Sequence, residues 1–245
     1  MPKPVLIMQL RPEDETSDNE FAAFLKYGQL DEVDAERLRI EVNGIPDRLD
    51  LSDYSALIVG GSPFDISTPA REKTPIQHKI ENDFRRLFDQ VVSKDFPFLG
   101  ACSGNGLLGS YLGTSISRQF GEPVGCVSLE VTEAGREDPL LVGLPHSFDV
   151  LLGHKEACDT VPEGAVLLMR GEQCPVQMFR VGSNVYATQF HPEGDSEGFI
   201  TRIETYKHHG YFPAHQAREL IDAVSGVQTP HAQEILRRFV ERYLR

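Results

Sequence analysis

One stretch constrains the fold of this chain more than any other. The apolar pair Phe98-Leu99 runs into Gly100-Ala101-Cys102-Ser103-Gly104, and a helical stretch to about Leu112 follows. A strand that turns directly into a helix through Gly-x-Cys-x-Gly has the form of a nucleophile elbow, with Cys102 at the apex. The flanking glycines are needed because so tight a turn has no room for neighbouring Cβ atoms, and the apex residue is held in a strained backbone conformation. The helix that follows aims its first N–H groups at the sulfur. This predicts a lowered thiol pKa and an oxyanion donor at Ser103. The plainer alternative is a buried core cysteine beside a glycine-rich turn.

Around this junction the pattern alternates. Val5 to Met8 and Ala56 to Val59 are short, wholly apolar runs of the kind buried on both faces of a sheet. Leu38, Ile40 and Val42 alternate with charged residues, which predicts a half-buried strand ending at Asn43-Gly44. Glu20 to Leu30 and Pro75 to Val92 carry helical stripes, the second through Ile76, Ile80, Phe84, Leu87 and Val91. Strands alternating with helices predict an α/β fold, a mostly parallel central sheet flanked by helices. Residues 115–190 carry short β-like runs instead, at 127–131, 166–169 and 176–181. The last is joined to Val185-Tyr186-Ala187 by Gly182-Ser183-Asn184, which predicts a hairpin within a small antiparallel region. Helical patterns return at about 197–209, 214–224 and 230–244. The expectation is a single domain over 1–245 with a helical extension from about 196.

Composition excludes several function classes. The 24 Lys and Arg face 37 Asp and Glu, a net charge of −13, and no basic block is present. Nucleic acid and anionic membrane surfaces are therefore not expected partners. No run approaches the length of a bilayer span, and the start of the chain lacks the pattern of a signal peptide. The four cysteines contain no C-x-x-C pair. The reading is a cytoplasmic chain with reduced thiols.

A second motif matches the elbow. Val185 to Phe190 is a β run ending in His191-Pro192-Glu193, so the imidazole falls at a strand end, where α/β sheets hold reactive groups. Glu193 lies on the same side as His191 in extended backbone and can accept its Nδ1–H, leaving Nε2 for Cys102. A nucleophilic cysteine with a distant histidine and a carboxylate is an acyl-transfer arrangement. The Gly60-Gly61 loop after a buried strand is expected to add a second backbone N–H to an oxyanion hole beside Ser103. Two decoys overlap these motifs. Gly104 to Gly109 matches G-x-G-x-x-G, with Glu122 in range of a ribose-binding acid, but it comes late in the chain and leaves Cys102 and His191 unexplained. His191-x-Glu193 begins a zinc-deaminase signature whose cysteine half is missing. His208 and His209 are adjacent and lack a third ligand, so no metal is expected there.

With these residues in view, the chain resembles the class I (triad-type) glutamine amidotransferase domain, of the kind attached to GMP synthase. The likeness runs from the first strand to about residue 195 and rests on Gly60-Gly61, on Gly100-x-Cys102-x-Gly104 and on Gln189-Phe190-His191-Pro192-Glu193. Weaker echoes stand at 122–125 and 153–156. The resemblance implies a flavodoxin-like fold, and attack of Cys102 on the γ-carboxamide of glutamine. It further implies His191 as base and then acid, Glu193 as its orienting carboxylate, and no metal or organic cofactor. The partners it implies are a small γ-glutamyl substrate and a synthase subunit that takes the ammonia, since no nucleotide-binding synthase region stands in this chain. One departure is plain. The family elbow continues to a Gln that helps hold the amino-acid end of glutamine, and here that position is Gly106. An opened pocket there favours two alternatives: a stand-alone γ-glutamyl peptidase or amidase on the same triad, or a catalytically weak relative that binds a ligand or partner.

Overall fold

A computed structural model describes residues 3–208 and 212–244. In chain order the elements are β1 (Val5–Gln9), α1 (Asp14–Gly28), β2 (Ala35–Arg39), α2 (Ile40–Asn43), β3 (Ala56–Val59), α3 (Pro75–Ser93), β4 (Phe98–Ala101) and α4 (Ser103–Tyr111). Then come β5 (Ile116–Ser117), β6 (Glu122–Val131), α5 (Glu133–Arg136), β7 (Ser147–His154), β8 (Ala157–Cys158), β9 (Ala165–Arg170), β10 (Met178–Val181) and β11 (Val185–Thr188). Three helices follow: α6 (Ser196–Tyr206), α7 (Ala217–Val224) and α8 (Pro230–Tyr243).

Nine strands form one sheet in the order β2-β1-β3-β4-β11-β10-β9-β6-β7. From β2 to β11 every pairing is parallel, and from β11 to β7 every pairing is antiparallel. A second, two-stranded antiparallel sheet joins β5 to β8. This is the α/β architecture expected from the sequence, a parallel sheet flanked by helices and continued by an antiparallel region that accounts for four of the eight pairings. The apolar runs of β1 and β3 are fully buried because the sheet is covered on both faces. Val5, Ile7, Ala56 and Ile58 face α1 and α8, whereas Leu6, Met8, Leu57 and Val59 face α3 and α4. Helix α3 starts where Thr74 accepts the Gln77 N–H at 3.3 Å and Pro75 supplies the first turn.

Three expectations change. The predicted strand through Val42 ends at Arg39, and the chain turns into α2, leaving Ile40 buried and Val42 exposed. The alternation therefore carries only two core residues. The run predicted over 176–181 joins the ladder only from Met178, because Gln177 pairs past the strand through Met169 and Gln189. Helix α6 stops at Tyr206; His208 is exposed, while His209 and Tyr211 lie outside the described residues. Among the described residues, no helix is long and apolar enough to cross a membrane.

The C-terminal helices are packed into the core. α6 and α7 cover Leu151 of β7 and Val124 and Cys126 of β6. α8 contributes Ile235, Leu236, Phe239 and Val240 to the cluster beneath α1. Phe239 meets Tyr186 edge-on at 6.3 Å and Tyr243 at 4.9 Å between ring centroids. Phe239→Ala is therefore expected to lower stability by about 3–5 kcal/mol, read as a shifted urea midpoint at unchanged slope. A loss below about 1 kcal/mol would show that α8 is peripheral.

Candidate active site

Four connections at the C-terminal edge of the parallel strands carry the polar groups that converge: those after β1, β3, β4 and β11. Cys102 follows β4 directly and has φ 51° and ψ −93°, the strained apex conformation of an elbow. The glycines on either side have a steric reason. A Cβ on Gly100 would come within 2.8 Å of the Gly104 backbone, so the turn closes only without one. The Cys102 N–H is held by the Thr188 carbonyl at 2.7 Å, which ties the elbow to the end of β11. The Nε2 amide of Gln189 faces the sulfur at 3.9 Å.

His191 is buried, just beyond that strand end. Its Nδ1–H donates to Glu193 Oε1 at 2.7 Å, which fixes the tautomer and leaves Nε2 as the nitrogen with a free lone pair. Phe199 of α6 packs edge-on against the ring at 5.5 Å. Arg202 of α6 donates through Nη2 to the same Glu193 oxygen at 3.0 Å. Burial pushes the Glu193 carboxyl up, but the charges and hydrogen bonds of His191 and Arg202 outweigh it and hold it well below the ordinary carboxylate range.

Behind this pair lies a second buried ion pair that the sequence pattern did not reveal. Glu20 of α1 has no exposed surface and accepts from Arg11 Nε at 2.8 Å and Gln9 Nε2 at 3.1 Å. Arg202 Nη2 stands 3.9 Å from Glu20, so Glu193, Arg202, Glu20 and Arg11 form one chain of alternating charge. The Glu20 carboxylate also takes the Gly61 N–H at 3.2 Å, and the Gly60 N–H is held by the Met8 carbonyl at 3.1 Å. This changes the expected oxyanion hole. Both glycine N–H groups are engaged, one because it still belongs to the β1–β3 connection and one because Glu20 claims it. Ser103 stands in the first turn of α4, where an N–H has no intrahelical acceptor. Gly61 matters sterically: a Cβ there would lie 2.8 Å from His191 Cε1.

Burial reverses the expected effect of the helix terminus on the thiol. It pushes Cys102 up to about 12; Arg11 pulls down against it and Glu193 pushes up. Burial likewise pushes the His191 imidazole below its ordinary value, against the opposing pull of Glu193. Burial thus opposes ionisation of both groups.

Cys102 sits between two clefts. The first, with room of only about 30 Å³, also holds His191, Arg11, Arg202 and Tyr206. The second, with about 20 Å³, lies over Ser103 and Gly106 and is lined by Asp65, Lys155 and Glu156. The space next to Gly106 is not open as expected. A Cβ there would fall 2.7 Å from Ile66 Cδ1, so the Ile66 side chain fills the volume a family Gln would use. The loop carrying Ile66 is tethered by Glu156, which accepts the Ile66 N–H at 2.6 Å and the Ser67 N–H at 2.8 Å.

The two weaker sequence echoes meet across β6 and β7. His154 Nε2 lies 2.9 Å from Glu122 Oε2, and Gln177 Nε2 donates to the same oxygen at 2.6 Å. Glu122 is thus a buried tie between strands and not the ribose acid of a dinucleotide site. With Cys174 these groups form a buried set of three donor atoms within 4.8 Å of one another, the kind of set a metal can use.

The family model for glutamine amidotransferase class-I matches residues 23–204, more than half of the sequence. The chain belongs to the class-I glutamine amidotransferase family. It is 29% identical over 150 residues to a glutamine-hydrolysing GMP synthase of Thermosipho melanesiensis, a match covering 61% of this chain and 26% of that protein. The chain thus spans only about a quarter of that synthase's length. It is 26% identical over 171 residues to a glutamine amidotransferase-like protein of Salmonella typhimurium, covering 70% of this chain and 66% of that one. A glutamine amidotransferase of Thermotoga maritima shares the fold, with a TM-score of 0.78 at 21% identity over 100% of this chain and 99% of that chain.

Removing the Glu156 carboxylate leaves the half-buried Ile66 N–H and the exposed Ser67 N–H without their acceptor. Glu156→Ala is therefore expected to speed amide hydrogen exchange across residues 62–68 while the sheet exchanges as before. Unchanged exchange there would show that the loop is held by other contacts.

Proposed function

We propose that the chain hydrolyses the γ-carboxamide of glutamine or a related γ-glutamyl compound through Cys102, His191 and Glu193. The observation that carries this reading is the geometry at the end of β11. A buried imidazole is locked by a carboxylate on one nitrogen and shares a cleft with an elbow cysteine.

Because burial opposes ionisation of both thiol and imidazole, proton transfer accompanies attack. Sγ adds to the γ-carbonyl carbon as His191 Nε2 takes the thiol proton, and the Ser103 N–H receives the developing oxyanion. Glu193 stabilises the imidazolium through Nδ1–H, and Arg202 keeps Glu193 ionised. Collapse breaks the C–N bond, and His191 passes its proton to the departing nitrogen. Water, deprotonated by the same imidazole, then splits the γ-glutamyl thioester and restores the thiol, so that one water is consumed for each glutamate and amine released. The α-ammonium and α-carboxylate of the glutamyl group fit the cleft over Gly106, where Asp65 and Glu156 offer negative charge and Lys155 positive. Ammonia from glutamine would pass to a synthase subunit outside this chain.

The test is glutamate release from glutamine and from γ-glutamyl dipeptides. Cys102→Ala is expected to abolish release from every substrate that the wild type cleaves. Glu193→Gln is expected to lower kcat by about 10²-fold or more with little change in KM, because it holds the base and not the substrate. Activity that survives Cys102→Ala, or an unchanged kcat in Glu193→Gln, would contradict these roles.

A further inference from the structure

The buried contact between His154 and Glu122 needs a cation that the two side chains do not supply by themselves. His154 ends β7 and stands opposite Glu122 at the start of β6, and both side chains are buried. His154 Nδ1 lies 3.0 Å from the Glu156 carbonyl oxygen, which can only accept, so Nδ1 carries a proton. Nε2 of the neutral ring then turns a lone pair toward Glu122 Oε2 at 2.9 Å. Two acceptors that close, away from water, are held together only by a positive charge between them: a further proton or a metal ion.

The surroundings favour the metal ion. Cys174, fully buried in the connection between β9 and β10, brings its sulfur within 4.8 Å of both groups. Its own hydrogen bond is a long one, 3.7 Å to the Val176 carbonyl. Ligands held about 2.0–2.3 Å from a zinc ion stand roughly 3–4 Å apart around it, so small side-chain shifts close this set on an ion. The bond from His154 Nδ1–H to a backbone carbonyl is the outer contact that orients a metal-binding histidine. Gln177 has no exposed surface and donates Nε2 to the same Glu122 oxygen, while its Oε1 has no hydrogen-bond partner among the described residues. A cation at Glu122 gives that orphaned oxygen a use once the amide turns over. Glu122 and His154 also line a cleft with room of about 390 Å³, which opens a path to them from solvent.

We infer that Glu122, His154 and Cys174 hold one zinc ion, at a site separate from Cys102, His191 and Glu193. A thiolate, an imidazole and a carboxylate together suit zinc, whereas calcium and magnesium take oxygen ligands. Binding releases the Cys174 thiol proton to solvent, together with any proton on His154 Nε2. The ion joins β6, β7 and the β9–β10 connection. It also braces one wall of the cleft beside Cys102, because His154 holds the Glu156 carbonyl and Glu156 holds the Ile66 loop. The inference does not depend on the catalytic reading.

Metal titration of the full chain tests it, after reduction and removal of metal with a chelator. Cys102→Ala is the background, since Cys102, His191 and Glu193 are a second set of the same donor types. Co²⁺ alone is added first and Zn²⁺ afterwards. The expected result is one Co²⁺ per chain, with a thiolate-to-cobalt charge-transfer band that one equivalent of Zn²⁺ removes. Adding Cys174→Ser is expected to abolish the band, and adding Glu122→Gln to weaken Co²⁺ binding at least about tenfold. X-ray absorption at the zinc edge needs no second substitution and is expected to show sulfur beside nitrogen and oxygen around the ion. No Co²⁺ binding in the Cys102→Ala chain, or a zinc shell without sulfur, would overturn the inference and leave a protonated His154 paired with Glu122. A band that survives Cys174→Ser in a folded chain, or unchanged affinity in Glu122→Gln, would overturn the assigned ligands.

Discussion

Glu20 is a carboxylate with no exposed surface, set in the first half of a helix and bound by Arg11, Gln9 and the Gly61 N–H. A buried charge is tolerable only when paired, and removing one partner of such a pair typically costs about 3–5 kcal/mol. Through Arg202 this ion pair connects to Glu193 and hence to the imidazole. One chain of charges thereby fixes four separate pieces: the segment after β1 that carries Arg11, the face of α1, the glycine loop after β3 and the middle of α6. The orientation of His191 follows from that chain as much as from its own strand. Because α6 supplies Arg202, the C-terminal helices belong to the site as well as to the core.

The same buried setting acts on the reactive pair itself. Burial opposes ionisation of both the Cys102 thiol and the His191 imidazole, and the ionised carboxylates are balanced by arginines.

Much of the frame was legible because its signals are local. The buried runs of β1, β3 and β4, the stripe of α3, the hairpin of β10 and β11, and the elbow at Cys102 all appear where periodicity and turn chemistry place them. The His191–Glu193 bond was legible from spacing alone. The start of α1 was not, because residues 14–20 bury Thr16, Ser17 and Glu20, polar residues that read as surface until their partners are known. Nor were Arg11 and Arg202, the second of which reaches Glu20 across most of the chain. β7 was missed because Ser147 to His154 neither alternates nor forms one apolar run. The consequence drawn from Gly106 failed for a steric reason: a side chain from another loop, Ile66, occupies the space.

The central claim is a covalent one: the γ-glutamyl group passes through the sulfur of Cys102. It is tested most directly by acid-quenching the wild-type chain during turnover of a γ-glutamyl substrate and mapping the modified peptide by mass spectrometry. The account predicts one γ-glutamyl group on the peptide containing Cys102, labile to hydroxylamine as a thioester must be, and none on Cys126, Cys158 or Cys174. Glutamate released without any adduct at Cys102, or an adduct on another cysteine, would contradict it.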